Sequence, residues 1–203
     1  NRFQNHRSHF QASNFRRPQR QKSFDPSVFI GRLTTQEKII EEAFVAIHHF
    51  ADFPNVEQFK KNILNHGNLT PTPIKDQAIT HILEGRDVVG IANTGPGKTA
   101  AFLIPLIHKT FLDHTQRVLI ITPTRELAVQ IRDELVGFSR EMHVDSVLCI
   151  GGVSLGPQAE RLRRQPQFAI GTPGRLKDLE ENDKINFNNF NNIVLDEVDR
   201  ILD

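Results

Sequence analysis

Cysteine and long apolar runs are scarce in this sequence. Cys149 is the single cysteine among 203 residues, which excludes a disulfide framework and a cysteine-based zinc site within the chain. It lies in the apolar run 147–150, so we expect a small buried hydrophobic side chain. No apolar run approaches the roughly 18 to 20 residues of a membrane span, and the N-terminus lacks the apolar segment of a secretory signal. These absences favour a soluble, cytoplasmic protein.

The first 24 residues lack any acidic residue, although the net charge of the whole chain is only +1. Basic residues occur there among Asn, Gln, Ser and Phe, without helical or strand periodicity: Arg2, Arg7, Arg16, Arg17, Arg20 and Lys22. This composition predicts a disordered basic arm over residues 1–24. Arginines among aromatic residues can neutralise phosphates and stack on bases, so RNA contact is one interpretation. A solubilising tail is an equally good one.

Beyond the arm, helix and strand patterns alternate. Residues 25–49 predict an N-terminal helical extension with a helix over 35–48, opened by the capping-box pattern at 34–37. Further helices are predicted between Asn55 and Gly67, from Pro73 to Gly85, and over 98–111, 125–138, 156–164 and 173–181. The predicted strands cover 87–91, 118–121, 144–150, 167–171 and 192–195. Short apolar strands separated by helices predict a mainly parallel sheet with helices on both faces, an α/β P-loop NTPase core over residues 50–203. Because the chain ends soon after its last predicted strand, we expect this core to be incomplete at the C-terminus.

A glycine-rich stretch lies between the predicted strand at 87–91 and the following helix. It consists of Ala92, Asn93, Thr94, Gly95, Pro96, Gly97, Lys98 and Thr99. Glycines allow backbone N–H groups to converge on a phosphate, Lys98 supplies a cation, and Thr99 offers a hydroxyl to Mg²⁺. The stretch therefore predicts a nucleotide-phosphate loop. It departs from the usual pattern at Ala92, which replaces a glycine, and at Pro96, which has no N–H to donate.

Two carboxylates follow the last predicted strand. Ligands bind at the carboxyl ends of strands in open parallel sheets, so Asp196 and Glu197 are expected beside the phosphate loop. Asp196 would hold Mg²⁺ through water, and Glu197 would accept a proton from the attacking water. The alternative is that these acids only end a strand.

The order of these motifs resembles that of DEAD-box RNA helicases, with Asp-Glu-Val-Asp at 196–199 as the family's name motif. The resemblance implies a RecA-like domain with ATP and Mg²⁺ as cofactors, Lys98, Asp196 and Glu197 as catalytic residues, and Thr99 and Asp196 as metal ligands. It implies an RNA partner and a second RecA-like domain. The implied RNA contacts are Pro123, Thr124, Arg125, Glu126, Gly151, Gly152, Thr172, Pro173, Gly174 and Arg175. An ion pair within the protein is the alternative role for Arg125 and Glu126.

Residues 67–77 and Phe50 resemble the adenine-recognition motif of that family, with one departure. Lys75 stands where the family has a glutamine. An amide both donates and accepts, as adenine recognition requires, whereas an ammonium group only donates. This departure weakens the expectation of adenine selectivity, and it keeps a non-catalytic RNA-binding scaffold as the alternative function. A DNA-directed translocase is a weaker third possibility. We expect the 203-residue chain by itself to hydrolyse nucleotide poorly.

Overall fold

Four parallel strands form the sheet in the computed structural model, which describes residues 57–65, 73–91 and 97–202. The strands are β1 (Val118–Ile121), β2 (Ser146–Cys149), β3 (Phe168–Gly171) and β4 (Asn192–Leu195), in the order β2-β3-β1-β4. Every pair is parallel, and Val118 of β1 lies opposite both Phe168 and Asn192. The described residues all belong to one unit spanning residues 42–203. The predicted arm, the helix at 35–48, Phe50 and residues 92–96 lie outside the described ranges, so these features and the proposed domain boundaries stay predictions.

Helices connect these strands. In the described ranges they are α1 (Glu57–Asn65), α2 (Pro73–Leu83), α3 (Lys98–Leu112), α4 (Arg125–Phe138), α5 (Leu155–Arg163), α6 (Pro173–Glu181) and α7 (Val198–Leu202), together with a 3-10 turn at Phe187–Asn189. The first six coincide with predicted helices, whereas α7 and the 3-10 turn have no counterpart in the sequence predictions. None of the helices in the described ranges is long and apolar enough to cross a bilayer.

Alternate residues of β1, β2 and β3 face opposite layers of helices, as the period of two in a strand requires. Val118 and Ile120 pack into one buried cluster with residues of α1, α3 and α4. Leu119 and Cys149 pack into a second cluster with residues of α5 and α6. The prediction of an α/β core with helices on both faces is therefore confirmed. Cys149 is fully buried, and burial raises the pKa of its thiol to about 12, so this side chain has the structural role expected of it.

The strand predicted at 87–91 is wrong. This segment forms no strand, and the side chains of Val89 and Ile91 are 91% and 95% exposed. An apolar run becomes a strand only when its backbone groups hydrogen-bond to a neighbouring strand. Among the described residues β4 ends the sheet on this side, and its Ile193 and Leu195 are exposed as well. The apolar pattern was correct, but the segment forms no ladder with β4, which pairs only with β1 among the described strands.

Candidate functional site

Most of the predicted site residues follow the carboxyl ends of the parallel strands, which meet at one edge of the sheet. Cys149 and Ile121, the last residues of β2 and β1, both lie opposite Gly171 at the end of β3. Ile121 also lies opposite Leu195 at the end of β4. The segments that follow these ends carry the predicted RNA contacts and the two acidic residues. The topology thus brings together four loops that are far apart in the sequence.

The start of α3 provides part of the predicted phosphate loop. Gly97 has a φ of 130°, a left-handed backbone conformation that favours glycine. The helix begins at Lys98, and no side chain among the described residues caps it by a hydrogen bond. Its first N–H groups and the positive end of its dipole are therefore suited to an anion. Of the predicted loop, the structure describes Gly97, Lys98 and Thr99.

Asp196 and Lys98 lie within electrostatic range of each other. Burial raises the pKa of the Asp196 carboxyl, and the neighbouring charge of Glu197 raises it further. The backbone N–H of Glu197, which lies 3.1 Å from Oδ1 of Asp196, and the charge of Lys98 act in the opposite direction. The charge of the predicted phosphate-binding lysine therefore acts on Asp196, the first of the two predicted acidic residues.

These residues fit a magnesium ion only if nucleotide phosphates and waters supply its remaining ligands. Among the described residues, no group of three or more acidic, histidine or cysteine side chains is placed to hold a metal ion by itself. Mg²⁺ in nucleotide sites uses one or two carboxylates together with phosphates and waters. Asp196 and Thr99 are the carboxylate and hydroxyl predicted for such a set, and these roles stay predictions. A divalent cation would also relieve the repulsion that raises the Asp196 pKa.

Glu197 occupies a constrained backbone position between β4 and α7. Its φ is 51°, in the left-handed region that is uncommon for residues other than glycine. Its Oε2 lies 2.7 Å from Nη1 of Arg200, and the Arg200 N–H donates to the Glu197 carbonyl at 2.9 Å. The sequence analysis did not identify Arg200. Its spacing of three residues from Glu197 was the available indication.

Arg125 lies over the turn formed by Gly151 and Gly152. A Cβ atom added at Gly151 would be 2.8 Å from Nη2 of Arg125, and one added at Gly152 would also collide with the guanidinium. Gly152 has a φ of 80°. The side chain of Arg125 is exposed, and within the described ranges neither Arg125 nor Glu126 makes an ion pair. The described ranges therefore contain no ion-pair partner that would support the alternative role of these two residues.

Arg175 is positioned differently from Arg125. Its Nη1 and Nη2 both donate to the carbonyl of Val153 at 3.1 Å, and its Nε lies 3.5 Å from Oδ2 of Asp178. The Arg175 side chain is only 11% exposed. Neither Asp178 nor the Val153 carbonyl was predicted from the sequence as a partner of Arg175. The Val153 carbonyl belongs to the loop after β2, which a local pattern around Arg175 does not reveal.

The helix starts after Pro123 and Thr172 differ in how they are capped. The hydroxyl of Thr124 accepts a hydrogen bond from the backbone N–H of Leu127 at 3.2 Å, so that N–H is already used within the protein. The Thr172 side chain makes no capping hydrogen bond, and α6 begins with Pro173. Of these two helices, α4 has a side-chain cap at its N-terminus and α6 has none. Gly174 has no atom within 4 Å of an added Cβ, so open space surrounds it.

Lys75, predicted to contact the nucleotide, is 4% exposed on α2. Burial lowers the pKa of its ammonium group, and the charge of Glu134 on α4 opposes this shift. Gln77, two residues further on, is exposed. The assignment of Lys75 to the nucleotide site stays a prediction, and the charge of Glu134 favours the protonated form of its ammonium group.

Known proteins share these features. The family model described as DEAD/DEAH box helicase matches residues 72–203, which is more than half of the chain. The chain belongs to this family. Its similar relatives include the DEAD-box ATP-dependent RNA helicase RhpA of Helicobacter pylori, 42% identical over 76% of this chain and 31% of the relative. The ATP-dependent rRNA helicase RRP3 of Lodderomyces elongisporus is 41% identical over 78% of this chain and 32% of its own length.

Solved structures agree with the predicted RecA-like core. A DEAD box protein from Methanococcus jannaschii has a TM-score of 0.69 and 32% identity, covering 76% of this chain and 42% of that one. A hypothetical ATP-dependent RNA helicase from Sulfolobus tokodaii has a TM-score of 0.66 and 31% identity, covering 73% and 43%. The RecA-like α/β fold is thereby confirmed. This member of the DEAD-box family spans about a third of the length of each of the two curated relatives described above.

Proposed function

We propose that this segment is the ATP-binding half of an ATP-dependent RNA helicase. The observation that carries the proposal is that Lys98, at the start of α3, lies within electrostatic range of Asp196 after β4. A cation and a hydroxyl on one side and two carboxylates on the other are the groups that Mg-dependent phosphoryl transfer requires. The relatives described above are ATP-dependent RNA and rRNA helicases, which supports the same activity.

Each residue has a distinct role in this proposal. The sequence of residues 92–97 predicts backbone N–H groups for the phosphates, and Lys98 stabilises charge on the transferred phosphoryl group. Thr99 and Asp196 hold Mg²⁺, which neutralises the phosphate charge. Glu197 accepts the proton of the attacking water. Phe50 and Lys75 are proposed to lie near the base.

RNA is proposed to lie across the loops after β1, β2 and β3. Arg125, the turn at Gly151 and Gly152, and the open start of α6 provide charge and N–H groups for a phosphate backbone. Such contacts hold the backbone without reading the base sequence. Catalysis additionally requires a second RecA-like domain, so the 203-residue chain alone should turn over ATP slowly. A cytoplasmic location, predicted from the sequence, stays a prediction.

The alternative is an RNA-binding scaffold without nucleotide control, favoured by the burial of Lys75 at the predicted adenine site. Calorimetric titration of the chain with ATP and Mg²⁺ distinguishes the two functions. We expect weak, Mg-dependent binding that Lys98→Ala abolishes. Absence of ATP binding, in this chain and in a full-length protein carrying it, would favour the scaffold. Comparing RNA with DNA as stimulators of ATP turnover in the full-length protein tests the translocase possibility.

A further inference from the structure

The two arginines of the proposed RNA edge are in different environments. Arg125 is exposed, and its guanidinium lies on the surface of the Gly151–Gly152 turn. Arg175 is 11% exposed in its side chain, and its guanidinium nitrogens are directed at protein atoms. A phosphate can therefore approach Arg125 without disrupting the protein, whereas Arg175 would first have to release its own contacts.

The contacts of Arg175, which lies on α6, connect this helix to the loop after β2. Nη1 and Nη2 share the carbonyl oxygen of Val153, the residue directly after the glycine turn, and both distances are 3.1 Å. Asp178, one helical turn further along α6, lies 3.5 Å from Nε. Arg175 thus fixes the end of the turn to α6. A hydrogen bond from a charged donor is stronger than a neutral one, so this contact is suited to holding the turn.

The turn itself needs such support. Gly152 has a φ of 80°, and glycine has the largest backbone freedom to lose on folding. The glycines also leave the space that the Arg125 guanidinium occupies, because a Cβ at either position would collide with it. The Arg125 guanidinium therefore lies against a turn whose following residue, Val153, accepts hydrogen bonds from Arg175.

We propose that Arg125 binds the RNA phosphate directly and that Arg175 is a positioning residue, which holds the turn at 151–153 through the Val153 carbonyl and does not contact RNA. This inference rests on the proposed RNA binding. It assigns different functions to two residues that the sequence motifs present as equivalent RNA contacts.

The salt dependence of RNA binding separates the two roles. Each phosphate contact that is lost reduces the slope of log affinity against log salt by about 0.7 for single strands. The complete 203-residue chain is titrated with a labelled single-stranded oligouridine at several salt concentrations. We expect Arg125→Gln to reduce the slope by about 0.7. Arg175→Gln should weaken binding by about three- to tenfold and leave the slope unchanged.

Lys177→Gln is the matched control, since Lys177 is exposed on the same helix and pairs only with Glu181 at 3.7 Å among the described residues. It should alter neither affinity nor slope. Arg175→Lys keeps the positive charge but replaces the planar guanidinium by a single ammonium nitrogen. This group cannot reproduce the two hydrogen bonds to the Val153 carbonyl together with the contact to Asp178. Arg175→Lys should therefore resemble Arg175→Gln.

Amide hydrogen exchange in the absence of RNA provides a second measurement. Arg175→Gln should accelerate exchange at residues 152–154, and Asp178→Asn should do so to a smaller extent without removing the arginine. The inference is overturned if Arg175→Gln lowers the salt slope as Arg125→Gln does, or if exchange in the turn is unchanged. If the unmodified chain binds no RNA at any salt concentration, the proposed RNA function fails, and the inference fails with it.

Discussion

Nη1 of Arg200 lies 2.7 Å from Oε2 of Glu197, the carboxylate proposed to accept a proton from water. Both side chains are partly exposed, at 58% and 37%. The contribution of such a pair to stability is small, typically below about 1 kcal/mol. It nevertheless restricts the orientation of a carboxylate whose backbone is already constrained. The proposed base is therefore held in a defined position before any nucleotide binds.

Glu197→Gln should stop catalysis without preventing nucleotide binding. General-base catalysis contributes about 10²- to 10⁴-fold to the rate, and an amide cannot accept the proton. In a full-length protein carrying this segment, we expect RNA-stimulated turnover to fall by at least about 10²-fold. The affinity for ATP, measured by calorimetry, should change little. Glu181→Gln on α6 is the control, and unchanged turnover in Glu197→Gln would refute the assignment of the base.

Asp196 should lower the stability of the chain at neutral pH. Burial and the charge of Glu197 raise the pKa of its carboxyl in the folded state, so folding favours the protonated form. The cost is present in full above the raised pKa and disappears as pH falls through that value towards 3.8. Asp196→Asn should therefore stabilise the chain at neutral pH and weaken Mg-dependent ATP binding. Urea denaturation at neutral and acidic pH measures the first effect, and equal stability of both proteins at neutral pH would contradict it.

Gly152→Ala should destabilise the turn at the sheet edge. The residue has a φ of 80°, which costs roughly 1 to 2 kcal/mol for a residue with a Cβ, and the new Cβ would displace Arg125. Thermal or urea unfolding of the chain gives the loss. Gly156→Ala is the comparison, because its nearest neighbour is the Ser154 hydroxyl at 3.9 Å and no strain is expected. Similar losses in both variants would show that the turn has no special requirement for glycine.

Asn62 on α1 stabilises the end of α4. Its Nδ2 donates to the carbonyls of Phe138 and Arg140 at 2.9 and 2.7 Å, and the residue is 5% exposed. Asn62→Ala leaves these carbonyls without their partner and should cost about 1 to 3 kcal/mol in the free energy of unfolding. Gln58→Ala, which removes the donor to Oδ1 of Asn62, should cost less because that contact is only partly buried. If Asn62→Ala unfolds at the same urea concentration as the original chain, this capping role is wrong.

Local signals account for the elements that the sequence predicted well. The bounds of α4 and α6 follow from Thr124 as a cap and Pro173 at the first helical position. The segment 87–91 failed because strand formation depends on a neighbour that a local pattern cannot supply. The contact of Arg175 with Val153 likewise joins residues 22 positions apart. Motif order located the candidate site, but the different environments of its two arginines required the fold.

Lys75 provides the last prediction, because its ammonium replaces the amide expected at the base. Lysine can only donate, so the chain should discriminate poorly between ATP and GTP. Lys75→Gln should increase the preference for ATP by about tenfold, the effect of one correctly paired hydrogen bond.

Competitive nucleotide binding measures this preference. Lys75→Met is the matched control, since it removes the buried charge without supplying an amide. Burial lowers the pKa of Lys75, so both variants should stabilise the chain at neutral pH, while only Lys75→Gln gains selectivity. Strong selection for ATP in the unmodified chain would mean that other residues read the base and that Lys75 serves to join α2 to Glu134 of α4.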